Sequence, residues 1–463
     1  MDFNEYMNTL MEQINNKRAK KLVEKEIRNH IEEQTETYEA EGLNHMDAEI
    51  EAVKQMGNPV ETGINLNRIH RPKMPYSLLA IAFVLTIIGV LMQAVIFRQS
   101  YANHTDDIFN SFLGNTIIYN MIGFIVIIVI LNLDYSFITA HSIALYVLYL
   151  ITIIWIAIYF RGYLDNFMAP YYATIIFPVI LAGLIFRFRN QKAAGLVKCM
   201  LLSIFAIGLV VFAFSPNVFE LNIHGLNMDR LDNDGFVETF IVIVCVLTLA
   251  IHKSVFAGNK KIQFAVLWTT ITVSGIITAF ILYIRHSKIL IRMLIGIVPE
   301  KYSENTSFQM FNNINARNST TMFSTLGNGS LPDRWSSSSD VFSKYVLNSI
   351  FSYFGIVLGT AVIAALLFFV FKAIAISNSQ SNRAGFLIGM TCSISVLLRI
   401  IVYIGINFGY SLWDITSIPF LSFGFVNTMI NAVFIGLILS VYRNTNILGE
   451  QNTVYNKRLK IVK

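Results

Sequence analysis

Charge is scarce in this chain. Of 463 residues only 14% are Asp, Glu, Lys or Arg, about half the share of an average soluble domain. In their place 54% are hydrophobic, with 36 Phe. That balance excludes a soluble globular protein of this length and leaves a polytopic membrane protein. Cysteine is nearly missing as well. Cys199, Cys245 and Cys392 all fall inside apolar runs, which excludes a disulfide framework or a thiolate metal cluster. No phosphate-cradling glycine loop or dinucleotide fingerprint occurs. His30 and His70 have no Cys or second His at ligand spacing. Neither cofactor nor metal is therefore expected. The opening "MDFNEYMNTL" lacks a basic stretch followed by an apolar one and does not read as a secretory signal. The net charge of +6 fits basic loops on one side of a membrane rather than direct contact with nucleic acid.

What is present divides into unequal parts. Residues 1–73 carry 10 Lys/Arg and 14 Asp/Glu and read as a small cytoplasmic domain of three or four helices. Val23, Ile27, Ile31 and Tyr38 recur on one helical face that stops at Gly42. Asn44 and Asn58 then sit at helix starts, the second followed by Pro59 and Glu61. Residues 76–445 read as about ten spans of bilayer length, near 76–97, 112–132, 141–160, 170–186, 199–215, 237–252, 262–284, 345–371, 385–407 and 419–442. Residues 446–463 form a tail. Basic residues collect in alternate loops: Arg187, Arg189, Lys192 and Lys198, then Lys253, Lys260 and Lys261, then Lys372 and Arg383. By the positive-inside rule both termini are cytoplasmic, and 285–344 is a long outer loop. The fold class expected is all-α.

Two resemblances add to this. "EIRNHIEEQTETYEAEG" with "DAEIEAVKQMGNPVETGINLNRIHRPK" resembles the permease prefix (HAAS) domain that precedes bacterial membrane proteins. "SIPFLSFG" (417–424), followed by a span ending "GLILSVYRN", resembles the Pro-Phe-[Ile/Leu]-Ser-Tyr-Gly signature of the SEDS family, the RodA/FtsW/SpoVE-like proteins of cell shape and division. "LGNGSLP" (326–332) and "RMLIGIVPEKYSENTSFQ" are similar to two further patches of that family. The resemblance implies a bacterial inner-membrane protein of the peptidoglycan pathway with a transpeptidase partner. Its substrate would be a lipid-linked disaccharide of the undecaprenyl pyrophosphate type. The reaction implied is attack of a sugar hydroxyl on an anomeric carbon, with a carboxylate as base and cations or helix N-termini holding the pyrophosphate.

The resemblance also says where that carboxylate should be, and it is not there. Aligned without a gap from Gly355, the family's catalytic Asp falls on Lys344, and the nearest carboxylate is Asp340. If a helix extended outward from this point, the two would be an i,i+4 pair. Either Asp340 takes over or the site is dead. We read it as dead, because one helical turn moves a base by about 5 Å, beyond hydrogen-bond reach. Other departures agree. Phe425 follows Gly424 where the family has a second glycine, Leu412 and Ile415 stand where it has Pro and Gly, and "RGYLDNFMAP" lacks its Arg-Trp element.

The substrate-binding candidates are Arg292, Gly327, Gly329, Arg399, Pro419 and Ser422. Arg399 lies inside a predicted span; it would clamp a lipid pyrophosphate or snorkel to the outer surface. Lys288 and Arg334 read as solvated loop cations, Trp335 and Trp413 as interface anchors, and Ser336–Ser339 as a linker. Asn427 and Asn431, one turn apart, read as fasteners between helices.

Two functions are compatible with these residues. One is a non-catalytic relative that binds a lipid-linked precursor or a partner and signals to a cytoplasmic regulator through 1–73. The other is an active glycosyltransferase with a shifted base. A transporter fits less well, since the spans have almost none of the ionisable groups that coupling requires.

Overall fold

The computed structural model describes residues 2–100, 106–159, 169–214, 235–285, 342–408 and 417–445. All regular structure among them is helical. Helices α1 (Phe3–Glu12), α2 (Lys17–Ala40), α3 (His45–Gln55) and α4 (Pro59–Ile69) pack on one another. Their core includes Tyr6, Leu10, Val23, Ile31 and Ala52. The caps are those the sequence suggests. Asn44 Oδ1 accepts from the Asp47 N–H at 2.9 Å, and Asn58 Oδ1 from the Val60 N–H at 2.9 Å. Each satisfies a helix-end donor that would otherwise face water. Gly42 and Gly57 end helices with φ of 104° and 74°, values that only glycine takes without strain.

Ten further helices carry the apolar sequence: α5 (Tyr76–Ser100), α6 (Asp106–Asn132), α8 (Ser142–Tyr159), α9 (Ala169–Arg187), α10 (Lys192–Phe214), α11 (Gly235–His252), α12 (Lys260–Arg285), α13 (Val346–Asn378), α14 (Arg383–Asn407) and α15 (Phe425–Arg443). A five-residue α7 (Ser136–Ala140) lies between α6 and α8. Seven of these helices are long and apolar enough to cross a membrane, and α9 and α11 contribute shorter apolar stretches. The chain is a polytopic, all-helical membrane protein. Each predicted span overlaps one of these helices. The boundaries differ for a physical reason: backbone hydrogen bonding continues past the apolar run, so Lys192, Lys198 and Lys372 are helical residues with long stems that can lie along the helix.

Two predicted spans are shaped differently from a plain rod. Helix α13 breaks at Gly355, where φ is 84° and ψ 176°. Its first half, 346–354, is almost wholly buried in protein. Span 419–442 starts late: 417–424 is a non-helical segment and the helix begins at Phe425. Irregular backbone at membrane depth is tolerated where protein covers it.

Helix α14 is the centre of the packing, with α9, α11, α13 and α15 around it, while α6 lies along α15. The turns near 133, 189, 256 and 380 lie on one face: Ser440 Oγ donates to the Leu133 carbonyl, Tyr135 packs at Gly385, Lys253 lies over the Phe386 ring, and the Ala257 N–H donates to the Arg189 carbonyl. On that face the Lys73 N–H donates to the Arg443 carbonyl at 3.1 Å. The turn 342–345 and the segment 417–424 lie on the other.

Candidate functional site

Segment 417–424 is a compact turn. Phe420 has a left-handed φ of 68° and Gly424 one of 138°. The Ser422 hydroxyl closes the turn by accepting from the Ile418 N–H at 2.8 Å. Helix α5 grips it from the side: the Gln93 amide donates to the Leu421 carbonyl. Gly89 lies so close that a methyl there would collide with the Phe420 carbonyl oxygen.

The turn in its place holds the residues before α13. Ser422 Oγ donates to the Ser343 carbonyl at 2.9 Å, and the Phe423 N–H donates to the Phe342 carbonyl at 2.7 Å. The ring of Phe342 lies 5.4 Å from that of Phe97 and 4.9 Å from that of Phe112, which in turn lies 4.8 Å from Phe423. Such aromatic contacts add dispersion and quadrupole terms to plain burial. From α14, the Tyr403 hydroxyl donates to the Ser343 carbonyl at 2.7 Å and accepts from the Val346 N–H at 3.1 Å. Asn407 donates to the Lys344 carbonyl at 3.1 Å and accepts from the Asn348 N–H at 2.9 Å. Two of the donors at the start of α13 are thus taken by side chains. Lys344 lies in the turn two residues before the helix and is half-buried. Since α13 begins at Val346, the backbone at 344 is not the outward helical extension that an Asp340–Lys344 pair would need.

Beneath the turn is a buried polar cluster. Arg399 on α14 has no exposed surface. Its guanidinium donates to Asn431 Oδ1 and to Ser417 Oγ, both at 2.8 Å. Its Nε lies 3.7 Å from Glu238 Oε1 of α11. Ser417 Oγ passes a hydrogen bond on to Asn427 Oδ1 at 2.9 Å. Arg399 therefore does not snorkel. It joins α11, α14, α15 and the 417–424 turn. Asn427 and Asn431 fasten elements together, as their spacing suggests. Asn431 and Ser422 also line a crevice of about 30 Å³ with Thr86, Asn120 and Thr428, room for roughly one or two waters.

Of the candidates named from the sequence, Lys344, Arg399, Pro419 and Ser422 are brought together at this end of α13 and α14. Asp340, Arg292, Gly327 and Gly329 lie outside the described residues, as do Lys288, Arg334, Trp335, Trp413, Leu412 and Ile415. The sequence reading missed Glu238, Tyr403 and Asn407. A signal existed for each. Arg399, Tyr403 and Asn407 are spaced i, i+4, i+8, one polar line along α14. Glu238 lies 14 residues from the inner end of α11, and Arg399 lies 16 from that of α14. At 1.5 Å per residue both reach about the same depth.

No protein-family profile matches the chain, and no curated protein matches it. Among solved structures, one described as "Structural coordination of polymerization and crosslinking by a peptidoglycan synthase complex" contains a similar chain. The TM-score is 0.56 at 11% identity, over 80% of this chain and 98% of that one. The two share a fold. At this identity the likeness concerns the backbone arrangement and not the chemistry of the site.

Proposed function

We propose that this is a divergent SEDS-like cell-envelope protein of the bacterial inner membrane that serves peptidoglycan synthesis without polymerising glycan. In this reading it binds a lipid-linked precursor of the undecaprenyl pyrophosphate type, or a partner, and signals through the HAAS-like helices 1–73 to a cytoplasmic regulator. The observation that carries the reading is the fixed turn at 342–345. It is tied down by Tyr403, Asn407 and Ser422 and carries Lys344 where the resemblance calls for a carboxylate. A protonated amine does not take a proton from a sugar hydroxyl, but it suits a pyrophosphate. The likeness to a chain from a peptidoglycan synthase complex supports the pathway and a transpeptidase-like partner.

The test is polymerisation and binding of labelled lipid-linked disaccharide by the purified chain. Native protein should bind precursor and yield no glycan. Lys344→Gln should weaken binding about tenfold, the loss of one charge-assisted hydrogen bond of ~1.5 kcal/mol. Glycan from the native chain that disappears in Asp340→Asn would establish an active transferase with a shifted base instead. Product from Lys344→Asp alone would identify an otherwise competent site silenced by one substitution.

A further inference from the structure

The 417–424 turn is held in a conformation that costs free energy, and α5 clamps it there. Phe420 takes a left-handed φ of 68°, a region that a bulky residue avoids because its Cβ crowds the following carbonyl. Its carbonyl oxygen lies against Gly89, and the next carbonyl, that of Leu421, accepts from the Gln93 amide. The clamp is itself incomplete. Gln93 is 3% exposed, yet its Oε1 has no donor among the described residues, a further cost for a buried polar atom. The crevice that Phe420 lines with Thr86 and Ser422 leaves space beside the turn into which it can relax. Two unfavourable features next to a void mark a state that persists only while α5 keeps its position.

Helix α5 is also the element that joins the N-terminal helices to the membrane part. Residues 70–75 link Ile69, the end of α4, to Tyr76, the start of α5. Two of them are Pro72 and Pro75, whose fixed φ makes the link stiff. The link is anchored as well. The Pro75 carbonyl accepts from the Leu79 N–H at 3.0 Å, and the Lys73 N–H donates to the Arg443 carbonyl at 3.1 Å. From Tyr76 to Gln93 the helix is unbroken and rises about 25 Å. A rigid helix of this kind carries a displacement of one end to the other.

We infer that α5 couples the N-terminal helices to the turns at 417–424 and 342–345 on the opposite face. When α4 is displaced, α5 follows, Gln93 leaves the Leu421 carbonyl, and Phe420 returns to an ordinary φ. The turn then gives up the bonds from Phe423 to Phe342 and from Ser422 to Ser343, so the placement of Lys344 follows the state of helices 1–73. This deepens the function proposed above and rests on its premise that those helices signal. It supplies the route and the two-state element.

The experiment follows hydrogen exchange of the full-length chain in detergent, with no precursor present. Gly63 on α4 lies so close to α1 that a methyl would meet the Leu10 carbonyl oxygen and the Gln13 Cβ, both at 2.8 Å. Gly63→Ala therefore pushes α4 aside, far from the turns. It should speed exchange of the Phe423 amide about tenfold, within the usual range of coupling between sites, and leave the Cys392 amide in the middle of α14 unchanged. Adding Pro72→Gly and Pro75→Gly makes the link slack and should return the Phe423 amide to its native rate. Coupling is reciprocal, so Gln93→Met should speed exchange of the His70 amide, which bonds to the Leu66 carbonyl, by a similar factor. This arm leaves the N-terminal helices unaltered and decides the matter if Gly63→Ala does not fold. A native rate for Phe423 in Gly63→Ala, equal acceleration with the slack link, equal acceleration of Cys392, or a His70 amide indifferent to Gln93→Met would each overturn the coupling. Such a result says nothing against precursor binding at Lys344, and a failure of precursor to bind says nothing against the coupling.

Discussion

Arg399 and Glu238 are 0% and 2% exposed, and Arg399 is held at membrane depth by Glu238 together with Asn431 and Ser417. Removing one side alone leaves a buried charge without its counter-charge, a loss of about 3–5 kcal/mol. Arg399→Met should therefore lower the thermal midpoint sharply. Arg399→Met combined with Glu238→Met should recover most of that loss, because the pair's desolvation cost disappears with it. A double-mutant cycle on unfolding in detergent measures the coupling; additive effects would show the 3.7 Å approach to be energetically idle. Tyr403 is a second residue whose chemistry is explicit. Its hydroxyl both donates to Ser343 and accepts from Val346. Tyr403→Phe should cost about 1–3 kcal/mol, the range for stranding buried partners, read from the same unfolding curves. Ser343 keeps its bond from Ser422, which places the expected value toward the lower end.

At the scale of elements, the 417–424 turn and the first half of α13 behave as one unit braced by α5, α6 and α14. Glycine matters at two places. Gly355 has φ of 84°, so Gly355→Ala forces a left-handed alanine and should cost about 1–3 kcal/mol. Gly89 lets α5 approach the Phe420 carbonyl. Gly89→Ala should cost a similar ~1–3 kcal/mol by overpacking, and it should act by displacing the turn. Protection of the Phe423 amide, which bonds to Phe342, should fall in Gly89→Ala when hydrogen exchange is compared with the native chain. Unchanged exchange would mean that α5 moves and the turn stays. These two glycines were visible in the sequence, but not their roles. An isolated glycine in an apolar helix has several explanations, and only the neighbouring backbone selects one.

Over the whole molecule, contacts between the described turns gather them on one face. The turns that carry Arg187 to Lys198, Lys253 to Lys261 and Lys372 to Arg383 share the face of the N-terminal helices. With the positive-inside rule, that face is the cytoplasmic one in our reading. Asn190→Cys and Ser379→Cys should resist a membrane-impermeant maleimide in intact cells, and Asp107→Cys should react. The reverse pattern would invert the topology and with it the face assigned to Lys344. The native cysteines Cys199 and Cys392 are buried, so background labelling from them is small.

Composition and period alone determined that the chain is a helical membrane protein and where its spans run, because a bilayer demands long apolar helices whatever their neighbours. Local chemistry likewise determined the caps at Asn44 and Asn58, since a cap needs only its own next few residues. The tertiary structure decided what the polar residues inside the spans do. Arg399 was open between a clamp and a snorkel until its partner on α11, 161 positions earlier, met it at the same depth. Ser422 and Tyr403 converge on one carbonyl only because α14 and the 417–424 turn flank it. Pairing across the fold depends on which faces pack together, and that information is distributed over all the helices at once.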